Sequence, residues 1–304
     1  MAKKTAKARK STTEGATKSD SEAGLPRPKA MERTMADLAR LFQGAAPRRS
    51  QKGKAARRRA QELIYDAWEA PRKPDRIRLA EEALQLWSDC ADAYNLLAEE
   101  KSRSVTEARA YLEQGVRAGE RALGRKAFKE DVGHFWGILE TRPYMRARAG
   151  LAGCLWELGE EEEALGHYHE MLRLNPNDNQ GIRDVLLTRL LKRGEQEKAA
   201  ELLQAYADDG SANWLYNQAL WLFREKGEGG AADKALREAI EQNPHVPAYL
   251  LGKKKVPRQL PDYIGWGDES EAKVYAADAE QVWRETEGAR GWLLRAPCVR
   301  IVVA

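Results

Sequence analysis

Three arginines lie beside two aromatic residues in one short stretch of this 304-residue chain, GHFWGILETRPYMRARAG. Arg142, Arg146 and Arg148 follow Trp136 and flank Tyr144. Guanidinium groups next to aromatic rings can bind a carboxylate or a phosphate through paired hydrogen bonds, and they also stack on the rings. The pattern predicts either an anion-binding pocket or a structural cluster that fixes this stretch to its neighbours.

Other residues capable of chemistry are present but poorly spaced for it. His167 and His169 are two positions apart, so on a helix they diverge by about 200° and cannot bind one metal ion together. The acidic run 160–163 fits the first turn of a helix, where the helix dipole favours carboxylates. The chain has neither a G-x-S-x-G nor a G-x-x-x-x-G-K-[ST] motif. We therefore expect no catalytic residue, no metal and no cofactor.

Helices must position these residues. Residues 145–178 have the pattern of two helices separated by a turn at Gly159 and closed by Pro176. The apolar face of this pair comprises Leu151, Ala152, Leu155, Ala164, Tyr168, Met171 and Leu172. The unit resembles a tetratricopeptide repeat. Because one such unit cannot bury its apolar faces alone, we expect a stack with a concave binding surface.

The pattern recurs along the chain. Residues 213–246 repeat it at the same offsets, and other segments between 55 and 211 match more loosely. An irregular insert, 124–144, interrupts the period. The predicted fold class is an all-α, tetratricopeptide-like helical repeat solenoid over residues 55–246.

The two ends of the chain differ from the repeats. Residues 1–54 are predicted to be a basic, disordered tail with a short helix near 31–42. Residues 247–296 are predicted to form a helical cap on the last repeat, with Asp268 at the start of its main helix. Residues 297–304 have strand-like composition, and we expect them to fray.

Charge is unevenly distributed. Residues 1–60 carry 17 Lys or Arg against 5 Asp or Glu, a net charge of +12, whereas residues 61–304 carry 34 against 42, a net charge of −8. Such a tail would attract nucleic acid non-specifically, since Phe42 is its only aromatic residue for base stacking. The alternative is a solubilising arm.

Cysteine usage and hydropathy point to a cytoplasmic setting. Cys90, Cys154 and Cys298 are far apart and form no C-x-x-C motif, which argues against a disulfide framework and a zinc site. No window approaches the length of apolar sequence that crosses a bilayer, so we expect no membrane span.

Repeats of this kind bind peptides through inner-face residues of each first helix. Of the equivalent positions here, Arg146 and Asn217 alone fit the Lys/Arg/Asn pattern that clamps an acidic chaperone tail, so we do not expect such a clamp. Trp214 and Trp221 instead predict an aromatic wall in the groove, with plain core packing as the alternative.

A closer resemblance covers roughly residues 75–295. The segments DCADAYNLLAEE, GHFWGILETRPYMRARAGLA, RLNPNDNQGIR, NPHVPAYLLGKK and PDYIGWGDESEA resemble the suppressor-of-tumorigenicity-seven family, taken broadly to include soluble bacterial relatives. The resemblance implies an all-helical repeat protein without established catalytic residues. The sequence departs from the animal members in having no membrane segment. The basic tail and the CVRIVVA end lie outside the match.

The expected function is non-enzymatic binding of a protein or peptide through the concave face. The predicted contact residues are Arg142, Tyr144, Arg146, Trp214, Asn217 and Trp221. The alternative is a nucleic-acid- or ribosome-associated factor held by the basic tail. A hydrolase or transferase is motivated only by the arginine and aromatic insert, which lacks a paired nucleophile and base.

Overall fold

The computed structural model describes residues 31–37, 51–297 and 299, which belong to two compact units, 1–45 and 46–304. In the first unit, residues 31–37 are helical, within the short helix predicted near 31–42. Most of the predicted tail and most of the predicted frayed end lie outside the described residues. Regular structure in the described residues is helical, and none of them forms a strand, which confirms the all-α class.

The second unit is a succession of helices joined mostly by short turns, with longer connections at 131–138 and 251–268. A single turn of 3-10 helix, Leu139–Thr141, precedes the α-helix that begins at Arg142. The α-helices are α1 Gln51–Glu69, α2 Lys73–Leu86, α3 Ala91–Glu100, α4 Val105–Glu130, α5 Arg142–Glu157, α6 Glu161–Leu174, α7 Ile182–Arg193, α8 Gln196–Ala205, α9 Ala212–Lys226, α10 Gly230–Gln242, α11 Val246–Leu250, α12 Glu269–Glu285 and α13 Ala289–Arg295.

Local signals explain where several helices begin and end. The Ser211 side chain accepts a hydrogen bond from the backbone N–H of Trp214 and so caps α9. Asp268 caps α12 in the same way, which confirms its predicted role. The last turn of α7 closes at Gly194, whose φ of +72° is a left-handed conformation that glycine adopts without strain.

Small residues let neighbouring helices approach closely. Ala152 on α5 and Ala164 on α6 are both fully buried where the two helices pack. On α4, a Cβ atom added to Gly119 would lie only 2.8 Å from the Cβ atom of Tyr144 on α5. Interior packing leaves no room for such an atom, so glycine is required there.

The helix α12 packs against its neighbours in sequence, α11 and α13, and it also reaches earlier helices. It lies across the first helices of two earlier pairs, α7 and α9. Tyr275 on α12 donates a hydrogen bond to Oδ1 of Asn217 at 3.0 Å, and Asp278 forms an ion pair with Arg189. The helix predicted in this region is present, and it covers a side of α7 and α9 that the sequence pattern left open.

Candidate partner-binding site

Arg142 begins α5 and its side chain reaches back to the insert. Its Nε donates to the carbonyl oxygen of Trp136 at 2.9 Å, and its guanidinium carbon lies 5.3 Å from the centre of the indole ring. The insert is itself held at the end of α6, because the backbone N–H groups of Gly133 and Phe135 both donate to the carbonyl oxygen of Leu174. Arg142 therefore helps to fix the insert to the helices.

Tyr144 is a core residue, with 1% of its surface exposed. Its ring contacts Phe128 edge-on, with 5.2 Å between ring centres, and it lies 6.1 Å from Phe135. Arg148 donates a hydrogen bond to the Tyr144 hydroxyl. Burial raises the pKa of that hydroxyl above its ordinary value. In this structure Tyr144 joins α4 to α5 and offers almost no surface to a partner.

Arg146 forms a buried ion pair with Asp92. Its Nε and Nη2 donate to the two carboxylate oxygens at 2.8 and 2.6 Å, and Asp92 is fully buried. Gln61 and Asn95 donate to the same carboxylate at 3.0 and 3.1 Å. The guanidinium carbon also lies 5.2 Å from the centre of the Trp68 ring. This network ties α5 to α1 and α3.

The other three predicted contact residues lie on α9. Trp214 is 1% exposed and packs in the core, and Asn217 is fully buried. Asn217 accepts its hydrogen bond from Tyr275 of α12, so the covering helix uses the polar group that the sequence assigned to a partner. Trp221 is partly buried, and its indole N–H donates to the carbonyl oxygen of Gln196 at 3.1 Å.

The predicted contacts thus form two groups on different helices, in the first turns of α5 and along α9. Sequence reasoning predicted α12 but did not predict that it covers the second group. One signal was available: Tyr275 and Trp283 are large aromatic residues on one face of α12, and both are buried here. A terminal capping helix with one face in solvent does not need two large aromatic residues on its buried face. A helix that packs across other helices does need them.

A different part of α5 remains open among the described residues. Ala149 and Gly153 are partly exposed, and a Cβ atom added to Gly153 would meet no neighbouring heavy atom within 4 Å. One turn further, Trp156 lies under the guanidinium of Arg189, 4.8 Å from ring centre to Cζ. We call Ala149, Gly153 and Trp156 the α5 strip. Its small residues leave room for a peptide backbone, and the ion pair of Arg189 with Asp278 borders it.

Asp184 on α7 has an unusual environment that the sequence did not reveal. Burial, followed by the negative charge of Asp209, raises the pKa of Asp184 to about 7. Its Oδ1 is buried and has no hydrogen-bond partner in the part of the chain that is described. Arg183 does not compensate this charge fully, because its guanidinium pairs with Asp209 at 2.7 Å.

We expect Asp184→Asn to raise the free energy of unfolding at neutral pH by on the order of 2 kcal/mol, after allowance for solvent screening. The folded-state pKa of about 7 exceeds the ordinary value. Ionised Asp184 therefore destabilises the fold progressively as pH rises from about 4 to about 7, and the cost is constant above that. Urea denaturation at about pH 5 and about pH 8 should show the larger gain at the higher pH. Asp208→Asn, at an exposed neighbour, is the control. A gain independent of pH would contradict the assignment.

The histidines lie on α6. Burial lowers the pKa of His167 to about 4, with a further contribution from the positive charge of Arg148, and burial also lowers the pKa of His169. Within the described residues, no group of His, Cys, Asp and Glu side chains is arranged to hold a metal ion. In the same residues, no helix combines the length and the apolar character needed to cross a membrane.

Comparison with known proteins places these features in a family context. The family model described as ST7 protein matches residues 51–296, which is most of the chain. That range contains all the helices described above for the second unit.

Individual relatives agree with the family match. The chain is 31% identical over 249 residues to the Suppressor of tumorigenicity 7 protein-like of Rattus norvegicus, covering 75% of this chain and 44% of the relative. For the Homo sapiens protein of the same name, the identity is 29% over 249 residues, with 75% and 43% covered. For Protein ST7 homolog of Drosophila melanogaster, it is 28% over 259 residues, with 77% and 48% covered. The chain spans less than half the length of these relatives.

Proposed function

The chain belongs to the ST7 protein family, and on that premise we propose that it is a tetratricopeptide-like helical repeat protein that binds another protein or a peptide. It performs no catalysis of its own and acts in the cytoplasm. Binding uses the inner face of the first helices, in the manner of a scaffold.

The observation that carries this proposal is the correspondence between two helix pairs, α5 with α6 and α9 with α10. When positions are counted from Met145 in the first pair and from Asn213 in the second, residues at the same count are buried alike. The second helices bury the equivalent pairs Ala164 and Ala232, Tyr168 and Leu236, and Met171 and Ala239. Two helix pairs with matching buried positions are what a repeated structural unit requires.

The arrangement of α12 favours one part of the inner face. Because α12 covers α7 and α9, Trp214 and Asn217 are not available to a partner in this structure. We therefore place the partner on the α5 strip. An extended peptide would lie over Gly153, with Trp156 supplying apolar contact area.

The strip can be blocked by one substitution with a matched control. Gly153→Arg places a long side chain in the open space on α5. Gly166→Arg makes the same change on α6, where an added Cβ also meets no neighbouring heavy atom within 4 Å. Since both glycines are in helices, arginine should favour each helix rather than disrupt it.

We expect the wild-type chain to capture a defined protein from cell lysate, identified by mass spectrometry. Gly153→Arg should remove that protein and Gly166→Arg should retain it, because the partner lies on one helix of the pair and not on the other. Equal capture by both variants would show that the α5 strip is not the binding surface.

The charge distribution supports a second candidate function. With a net charge of +12 over residues 1–60, the chain would bind nucleic acid or ribosomes through its tail. Deleting residues 1–54 should then abolish recovery of nucleic acid, and recovery should fall steeply with salt. Under the leading proposal, the same deletion leaves the captured protein in place.

A further inference from the structure

The loop between α11 and α12 exposes a cluster of apolar side chains. Tyr263 and Trp266 are 74% and 68% exposed, the highest values among large hydrophobic residues in the described part of the chain. Ile264 is 51% exposed and Leu260 is 39% exposed. We call residues 260–266 the aromatic loop. Contiguous exposed apolar surface of this kind marks an interaction site more often than isolated exposed residues do.

Hydrogen bonds at its end fix the aromatic loop to α12. The backbone N–H of Gly265 donates to Oγ of Ser270, and that of Gly267 donates to Oε2 of Glu271, both at 2.8 Å. Gly267 has a φ of +74°, which favours glycine. Trp266 therefore lies between two residues, Gly265 and Gly267, whose backbone is held by hydrogen bonds. The conformation of this turn keeps the Trp266 side chain exposed.

Positive charge flanks the aromatic loop. Lys253, Lys255 and Arg258 are exposed, and none of them forms an ion pair with another described residue. The nearby carboxylate of Glu269 is already neutralised by Lys254 at 2.6 Å. These three residues, the flanking cations, are therefore available to an anionic partner.

The acidic residues of the same region offset this charge only in part. Asp268 accepts hydrogen bonds from the backbone N–H groups of Ser270 and Glu271, so it is occupied in capping α12. Asp262 is exposed within the loop. The net charge of the exposed side chains in this region is therefore positive.

We propose that the aromatic loop docks on an anionic lipid surface, with Tyr263, Ile264 and Trp266 entering the headgroup region while the flanking cations face lipid phosphates. Trp and Tyr favour the interface between water and hydrocarbon, and basic residues near it add attraction to anionic lipids. A specific protein interface requires about 800 Å² on each side, which four side chains on one loop do not supply. Partial insertion in a bilayer has no such requirement. This role is additional to protein binding by the α5 strip.

The test uses the full chain and vesicles of phosphatidylcholine, with or without phosphatidylserine. We expect Tyr263→Ser combined with Trp266→Ser to reduce co-sedimentation with phosphatidylserine vesicles by roughly tenfold or more. Lys253→Glu combined with Lys255→Glu should weaken the dependence on phosphatidylserine, and the basic tail accounts for the dependence that remains. Leu86→Ser, at a side chain 47% exposed at the end of α2, is the matched control and should bind as wild type does.

A second readout separates the aromatic loop from the basic tail, which is present in every variant and also attracts anionic vesicles. Brominated lipids should quench tryptophan emission in the wild type more than in Trp266→Phe, because Trp266 enters the bilayer. Equal quenching in these two proteins would overturn the proposal. Unchanged co-sedimentation of the Tyr263 and Trp266 double variant would overturn it too.

Discussion

Arg146→Leu is expected to lower the free energy of unfolding by roughly 3–5 kcal/mol, because it leaves the buried carboxylate of Asp92 without its cation. Asp92 has no exposed surface, and both of its oxygens accept hydrogen bonds from Arg146. Gln61 and Asn95 are neutral donors and cannot replace the lost charge. Urea denaturation followed by circular dichroism measures the difference.

A double-mutant cycle separates the ion pair from other effects of the substitution. Asp92→Asn removes the buried charge, so Asp92→Asn combined with Arg146→Leu should be less destabilised than the sum of the single changes. Arg78→Leu is the control, since Arg78 is exposed and pairs with Glu82 within one helix, where such pairs contribute about 0.5 kcal/mol. If Arg146→Leu costs no more than Arg78→Leu, Arg146 does not have the structural role described here.

Trp283→Ala is expected to destabilise the fold by roughly 3–5 kcal/mol and to loosen α12 from α9. The Trp283 side chain is fully buried. Its indole N–H donates to the hydroxyl of Tyr275 at 2.8 Å, and its ring lies 6.4 Å from that of Tyr216 on α9. Removing the indole therefore leaves a large cavity and breaks the hydrogen-bond chain that ends on Asn217.

Hydrogen exchange distinguishes this result from a general loss of stability. Amide protons of α12 should exchange much faster in Trp283→Ala, whereas those of α5 and α6 should change less, because local opening precedes global unfolding. Leu294→Ala, at a half-exposed side chain on α13, is the control. Uniform acceleration along the chain would contradict local opening of α12.

Sequence alone predicted the helices well because their signals are local. The apolar spacing around Leu151 and Tyr168 required an amphipathic pair, and both side chains are buried. Asp268 was identifiable as a cap because a cap depends on residues two or three positions away. The all-α class and the family resemblance are confirmed for the same reason, since both rest on contiguous segments.

The contacts that decide which side chains face a partner are long-range, and periodicity does not encode them. Arg146 looked like a ligand residue, yet its carboxylate partner Asp92 is 54 positions earlier in the chain. Asn217 looked like a groove residue, yet Tyr275, 58 positions later, covers it. An apolar or polar face shows that something packs there, without identifying the neighbour. The raised pKa of Asp184 has the same origin, because it depends on packing that only the fold produces.

The most direct measurement is the dissociation constant of the captured protein for the purified chain carrying Gly153→Arg or Gly166→Arg. Binding on the α5 strip predicts at least a roughly hundredfold weaker Kd for Gly153→Arg, equivalent to about 2.7 kcal/mol, and an unchanged Kd for Gly166→Arg. An unchanged Kd for Gly153→Arg would contradict binding through this surface.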